Sequence, residues 1–138
     1  MARVRDVMTS EPRSVPKTTP LSEVAVMMRD ADIGEVLVGD GDQLCGLVTD
    51  RDIVVRGLAD GRDPRTTEVD AICTHDLITL APDDTVDDAL DKMGVHAVRR
   101  LPVVEGGRAI GVVSLGDISA ARESGDVLED ISEAPPNQ

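Results

Sequence analysis

Not one of the 138 residues is Phe, Tyr or Trp. Any core must therefore be built from Val, Ile, Leu, Met and Ala, each buried side chain contributing about 1.5–3 kcal/mol. A small all-aliphatic unit of that kind is expected to gain stability as a homodimer. Without aromatic rings there is no platform on which the bases of a single strand could stack. Positive charge is scarce as well: 14 Lys and Arg stand against 27 Asp and Glu, a net charge of −13. Such a surface repels phosphate backbones and anionic lipid, so neither nucleic acid nor membrane is expected as a partner. No apolar run approaches the roughly 18–20 residues that cross a bilayer. The first residues, Met1-Ala2-Arg3-Val4-Arg5-Asp6, lack the apolar stretch of a secretory signal. A cytoplasmic location is the expectation, and Cys45 and Cys73 are then expected as free thiols.

Catalytic signatures are missing too. The chain carries two histidines and no P-loop, dinucleotide fingerprint or nucleophile elbow, so no enzymatic activity is expected. Cys73-Thr74-His75-Asp76 packs a thiol, an imidazole and a carboxylate into four residues, which fits known zinc spacings poorly, and no metal is assigned to it. Cys45 reads as a small hydrophobe in a strand. His96, beside Ala97 and Val98, reads as structural rather than as a pH switch.

What the chain does have is a repeat. Two stretches superpose at a constant offset of 65 residues without a gap. One closes with Gly46-Leu47-Val48-Thr49-Asp50-Arg51-Asp52-Ile53, the other with Gly111-Val112-Val113-Ser114-Leu115-Gly116-Asp117-Ile118. Residue class is matched better than identity: Ser14-Val15 over Thr79-Leu80, Leu21 over Val86, Met28 over Met93. Each copy reads as strand, helix, strand, strand, helix. Val15 marks the first strand of one copy, Ile78 and Leu80 that of the other. Leu21, Val24, Ala25 and Met28 fall at helical spacing, as do Val86, Ala89, Leu90 and Met93. Gly39-Asp40-Gly41-Asp42 and Gly106-Gly107 mark two hairpins.

The organisation expected from this is a first repeat over 1–58, a connector over 59–70 and a second repeat over 71–123. An acidic, disordered tail over 124–138 follows, with Glu129, Asp130 and Glu133 and no basic residue.

The closing segment carries the chemistry. A strand runs into a helix at Thr49, and again at Ser114. The start of a helix offers unpaired N–H groups and a positive dipole end, which suit a phosphate, and the hydroxyl can donate to the same anion. Asp52 or Asp117, three residues on, can accept both hydroxyls of a ribose. The same residues at the same spacing also make a capping box, and the two readings weigh about equally.

The whole pattern resembles a tandem pair of cystathionine-β-synthase (CBS) domains, a Bateman module, over residues 1–123. The family's closing motif, glycine, two apolar residues, Ser or Thr, two variable residues, Asp and Ile or Leu, is matched at Gly46–Ile53 and Gly111–Ile118. Its opening motif is matched by Val7-Met8-Thr9 and Ile72-Cys73-Thr74, and its central strand by Arg100-Leu101-Pro102-Val103. Segments such as Gly61-Arg62-Asp63-Pro64 are similar to those of stand-alone bacterial two-CBS proteins.

The resemblance implies an α+β fold of two β-α-β-β-α CBS repeats packed about a pseudo-two-fold axis. It implies a regulatory or sensor module with no required cofactor, whose two inter-repeat clefts take adenosine derivatives: AMP, ADP, ATP or S-adenosylmethionine. By position, one cleft would use Thr49, Arg51 and Asp52 with Thr9, the other Ser114 and Asp117 with Thr74. The base would lie against Val15, Ile78 and Val36. Arg99, Arg100 and Pro102 belong to the set in the second copy, where the first has Gly34, Glu35 and Leu37. A solvated helix end is the lesser reading of Arg99 and Arg100. The implied partner is an unidentified regulated protein. The alternative is a ligand-free homodimeric interaction or stress-response module whose signature residues only cap helices.

Overall fold

In the computed structural model, which describes residues 2–124, the chain forms two compact units. One is Pro12–Leu77; the other joins the residues up to Glu11 to those from Ile78 onward. The acidic tail expected over 124–138 lies outside the described residues but for Ser124.

The unit Pro12–Leu77 holds β2 (Ser14–Pro16), α2 (Leu21–Ala31), β3 (Glu35–Asp40) and β4 (Gln43–Thr49). After β4 come a short helical turn, α3 (Asp50–Asp52), a π-helical stretch Ile53–Leu58 and a 3-10 turn Val69–Ala71. Its sheet runs in the order β2-β3-β4, β2 parallel to β3 and β3 antiparallel to β4. The other unit holds α1 (Val4–Val7), β1 (Thr9–Ser10), α4 (Val86–His96), β5 (Arg100–Glu105), β6 (Arg108–Ser114) and α5 (Leu115–Ser124), with sheet order β1-β6-β5. The mixed α and β class is the one expected.

Local chemistry accounts for most of these elements. The hairpin β3–β4 turns with positive φ at Gly41, and β5–β6 with positive φ at both Gly106 and Gly107, as two-residue primed turns need. Leu21, Val24 and Met28 bury one stripe of α2, and Val86, Ala89 and Met93 that of α4. Ala25, expected on that stripe, is exposed. Both helices stop at a left-handed residue that is not glycine, Asp32 at φ 54° and Ala97 at φ 55°. The next amides, of Ile33 and Val98, then donate back to Met28 O and Met93 O, each at 3.0 Å. That common exit aims both chains into the strand edge beside the signature.

Each unit has its own core. One gathers Val15, Leu21, Val24, Met28, Val36, Val38, Val48, Ile53, Val69, Ile72 and Cys73. The other gathers Val4, Leu80, Val86, Ala89, Met93, Leu101, Val103, Val113, Ile118 and Ala121.

One expectation needs correction, and one pairing was not foreseen. The first strand of copy two is a single bridge, Leu80 to Val103, because Leu80 exchanges bonds with Pro102 O and Val104 N while its neighbours make none with that strand. More consequentially, each opening segment folds with the other copy's sheet. Thr9 and Ser10 pair with Val112 and Gly111, and Thr74 bridges Leu47.

Candidate functional site

The two strand-to-helix turns repeat the same geometry. β4 ends at Thr49 opposite Glu35 of β3; β6 ends at Ser114 opposite Arg100 of β5. The chain is then pinned into its helix by one further backbone bond, Asp50 N to Gly34 O at 2.9 Å or Leu115 N to Arg99 O at 2.8 Å. Neighbouring strands thus fix where each helix begins.

At each turn hydroxyl and carboxylate close a capping box. Thr49 Oγ1 accepts from Asp52 N–H and Asp52 Oδ2 accepts from Thr49 N–H, both at 3.0 Å. Ser114 Oγ accepts from Asp117 N–H at 2.9 Å and Asp117 Oδ2 accepts from Ser114 N–H at 3.1 Å. All four side chains are half-buried. The box uses each hydroxyl as acceptor and one carboxylate oxygen. The hydroxyl proton and the second oxygen, Oδ1, take no partner among the described residues. Each turn thus keeps one hydroxyl donor and one charged acceptor beyond the cap, which suits a ligand that carries hydroxyls and an acceptor oxygen.

The other sequence-derived residues distribute unevenly. Thr9 sits in the unit of Ser114 and Asp117, and Thr74 in that of Thr49 and Asp52. The reason is the crossing of each opening segment onto the strand of the other copy. Arg51 is exposed on the first turn after Thr49, its N–H donating to Asp50 Oδ1. Arg99 and Arg100 are not a helix end: α4 stops at His96, Arg99 lies in the loop, and Arg100 opens β5. Val15 and Val36 are core residues, 6% and 2% exposed. Ile78 packs at the edge of the other core. Pro102 is buried on β5, on the face opposite Leu101 and Val103.

A second cluster lies beside Thr74, and composition did not mark it. The 3-10 turn Val69–Ala71 carries Asp70 back toward Cys73 and His75. His75 Nε2 lies 3.4 Å from Cys73 Sγ and 2.8 Å from Asp70 Oδ1. The carboxylate is Asp70, not the Asp76 that adjoins His75 in sequence. Burial pushes the Cys73 thiol up to about 11, helped by the negative charge of Asp70. Both cysteines are free thiols. A Cys-x-His pair with an acid three residues upstream was the only available signal.

Comparison with known proteins places this geometry. A family model, "CBS domain", matches residues 4–58 and 69–124. "Hypoxic response protein 1" of Mycobacterium tuberculosis is 36% identical over 120 residues, which cover 86% of this chain and 84% of that one. The crystal structure of Hypoxic Response Protein I with two coordinated zinc ions superposes with a TM-score of 0.80 at 36% identity, over 87% of this chain and 98% of that one. The CBS domain pair of protein MJ0100, in complex with 5′-methylthioadenosine and S-adenosyl-L-methionine, superposes with a TM-score of 0.76 at 26% identity, over 88% and 99% of the two chains.

Proposed function

The chain belongs to the CBS-domain family, and from that footing we propose that it is a non-enzymatic regulatory module holding an adenine nucleotide or related adenosyl ligand at its strand-to-helix turns and modulating a protein partner. The observation that carries this reading is the hydroxyl–carboxylate pair, present once in each unit, with a hydroxyl proton and a carboxylate oxygen left over from the cap. Asp Oδ1 can accept from a ribose diol, while the hydroxyl proton can be donated to a phosphate or to a sulfonium ligand's carboxylate. The adenosyl complexes of MJ0100 show ligands of this class on a related CBS pair.

The two turns differ in charge. Arg100 stands across from Ser114, where Glu35 stands across from Thr49.

A second reading has its own support. Thr85 and Asp88 cap α4 with the same box, both bonds 3.0 Å, and belong to no signature. Capping alone thus accounts for the bonds seen at Thr49 and Ser114. The comparison of Asp117→Ala with Asp88→Ala separates the readings. Both variants lose about 0.5–2 kcal/mol of stability, the value of a helix cap. If the turn binds ligand, titration calorimetry with AMP, ADP, ATP and S-adenosylmethionine gives at least a ~10-fold weaker affinity in Asp117→Ala, about 1.4 kcal/mol, and no change in Asp88→Ala. Equal affinities in the two variants, or no heat from the parent chain, leave only the cap.

The module is further proposed to act as a homodimer. Val54, Val55 and Leu58 are 56%, 43% and 53% exposed along the π-helical stretch, apolar area that a second copy would remove from water. Light scattering on the eluting peak is expected to give twice the chain mass; a monomer at about 100 μM, far above the Kd of a stable dimer, would refute it.

A further inference from the structure

We propose that Asp70, Cys73 and His75 form a zinc-binding site of the unit Pro12–Leu77, three protein ligands with a fourth position open to water. The sulfur, nitrogen and oxygen donor atoms all lie within 4.8 Å of one another. Both short contacts fall on one atom, His75 Nε2: 3.4 Å to Cys73 Sγ and 2.8 Å to Asp70 Oδ1. That nitrogen carries at most one proton, so it cannot make a separate straight hydrogen bond to each neighbour. A cation at the centre of the triangle satisfies all three at once.

Two of the three donor separations can be compared with the metal's own, and the third, sulfur to oxygen, lies within 4.8 Å. With bonds of about 2.3 Å to sulfur and 2.0–2.1 Å to nitrogen and oxygen, a tetrahedral zinc holds its S and N donors about 3.5 Å apart and its N and O donors about 3.3 Å apart. The first pair is already there, and the second opens by about half an ångström when the hydrogen bond gives way to the metal. A soft thiolate with an imidazole and a carboxylate selects zinc over magnesium or calcium, which take oxygen donors. Binding sends the thiol proton to solvent.

The backbone presets the site. Thr74 exchanges both of its bonds with Leu47, at 2.9 Å each, which points Cys73 and His75 to one side. Ile72 N and Cys73 N both donate to Val69 O, closing the turn that carries Asp70 beneath them. Gly46 leaves the room: a β-carbon there would stand 2.6 Å from Cys73 Sγ. The Asp70 and His75 side chains are 44% and 53% exposed, so a metal and its water can reach them from solvent.

The test uses the full chain without an affinity tag, stripped with EDTA, reloaded with zinc alone and dialysed. One zinc per chain is expected by elemental analysis. Cys73→Ser and His75→Ala are expected to weaken binding by more than the roughly 10–100-fold that a change outside the ligand shell costs. Asp76→Ala and Cys45→Ser keep it. Cobalt(II) loaded instead of zinc shows a thiolate charge-transfer absorption that Cys45→Ser retains and Cys73→Ser loses. No retained zinc in the parent chain, or full affinity in His75→Ala, overturns the site. His75 is exposed, so that variant reports binding even if Cys73→Ser disturbs the fold.

Discussion

Replacing Ile118 by alanine is expected to lower the unfolding free energy by about 2–5 kcal/mol, the range for truncating a fully buried aliphatic side chain. Ile118 is the last residue of the second closing signature and 1% exposed. It anchors α5 in a core shared with Val4, Leu80, Leu101 and Val113. That core holds no ring, so no large flat neighbour can tilt into the space; among its members only Met93 is flexible enough to fill part of it. Urea unfolding followed by circular dichroism would show the midpoint falling at unchanged slope. Leu115→Ala, three residues earlier and 40% exposed, serves as the contrast and should stay within about 0.5 kcal/mol. A loss below about 1 kcal/mol for Ile118→Ala would mean that the signature isoleucine is not packed as described.

The signature is therefore three devices in one short segment: a glycine, a cap and an anchor. The sequence made the cap legible, because a hydroxyl and an acid three residues on are a local pattern at helical spacing; the burial of the isoleucine came from the structure. Hairpins were legible for the same reason, since glycines at Gly41, Gly106 and Gly107 dictate their own backbone. Nothing local told which sheet Thr9 or Thr74 would join. Opening segments of either copy present the same short apolar-then-threonine pattern, and their partner strands lie far along the chain. Asp70 was illegible for a related reason: only the 3-10 turn brings it, rather than Asp76, onto His75. Nor could spacing separate cap from ligand. The structure shows the cap made at both turns with a hydroxyl proton and a carboxylate oxygen of each pair left over, which either reading allows.

Gly111→Ala is expected to cost about 1–3 kcal/mol, the price of forcing a methyl into a filled site. A β-carbon on Gly111 would lie 2.6 Å from Met8 Sδ and 2.9 Å from Thr9 O. The sulfur can swing aside. Thr9 O cannot, because β1 is held in its ladder with Thr9 opposite Val112 and Ser10 opposite Gly111. Truncating Met8 in the same chain should therefore recover part of the loss and not all of it, a coupling of about 0.5 kcal/mol or more in a double-mutant cycle. Gly46→Ala should behave alike, with Cys73 Sγ at 2.6 Å and Thr74 O at 3.0 Å in the corresponding places. If Gly111→Ala is tolerated within about 0.5 kcal/mol, or the cycle is additive, the close crossing is not what fixes this residue. If the cost is as expected, the glycine that opens the closing motif has a stated task. It lets the opening segment lie flat across the strand, three residues before the hydroxyl, and so brings Thr9 into the unit of Ser114 and Asp117, and Thr74 into that of Thr49 and Asp52.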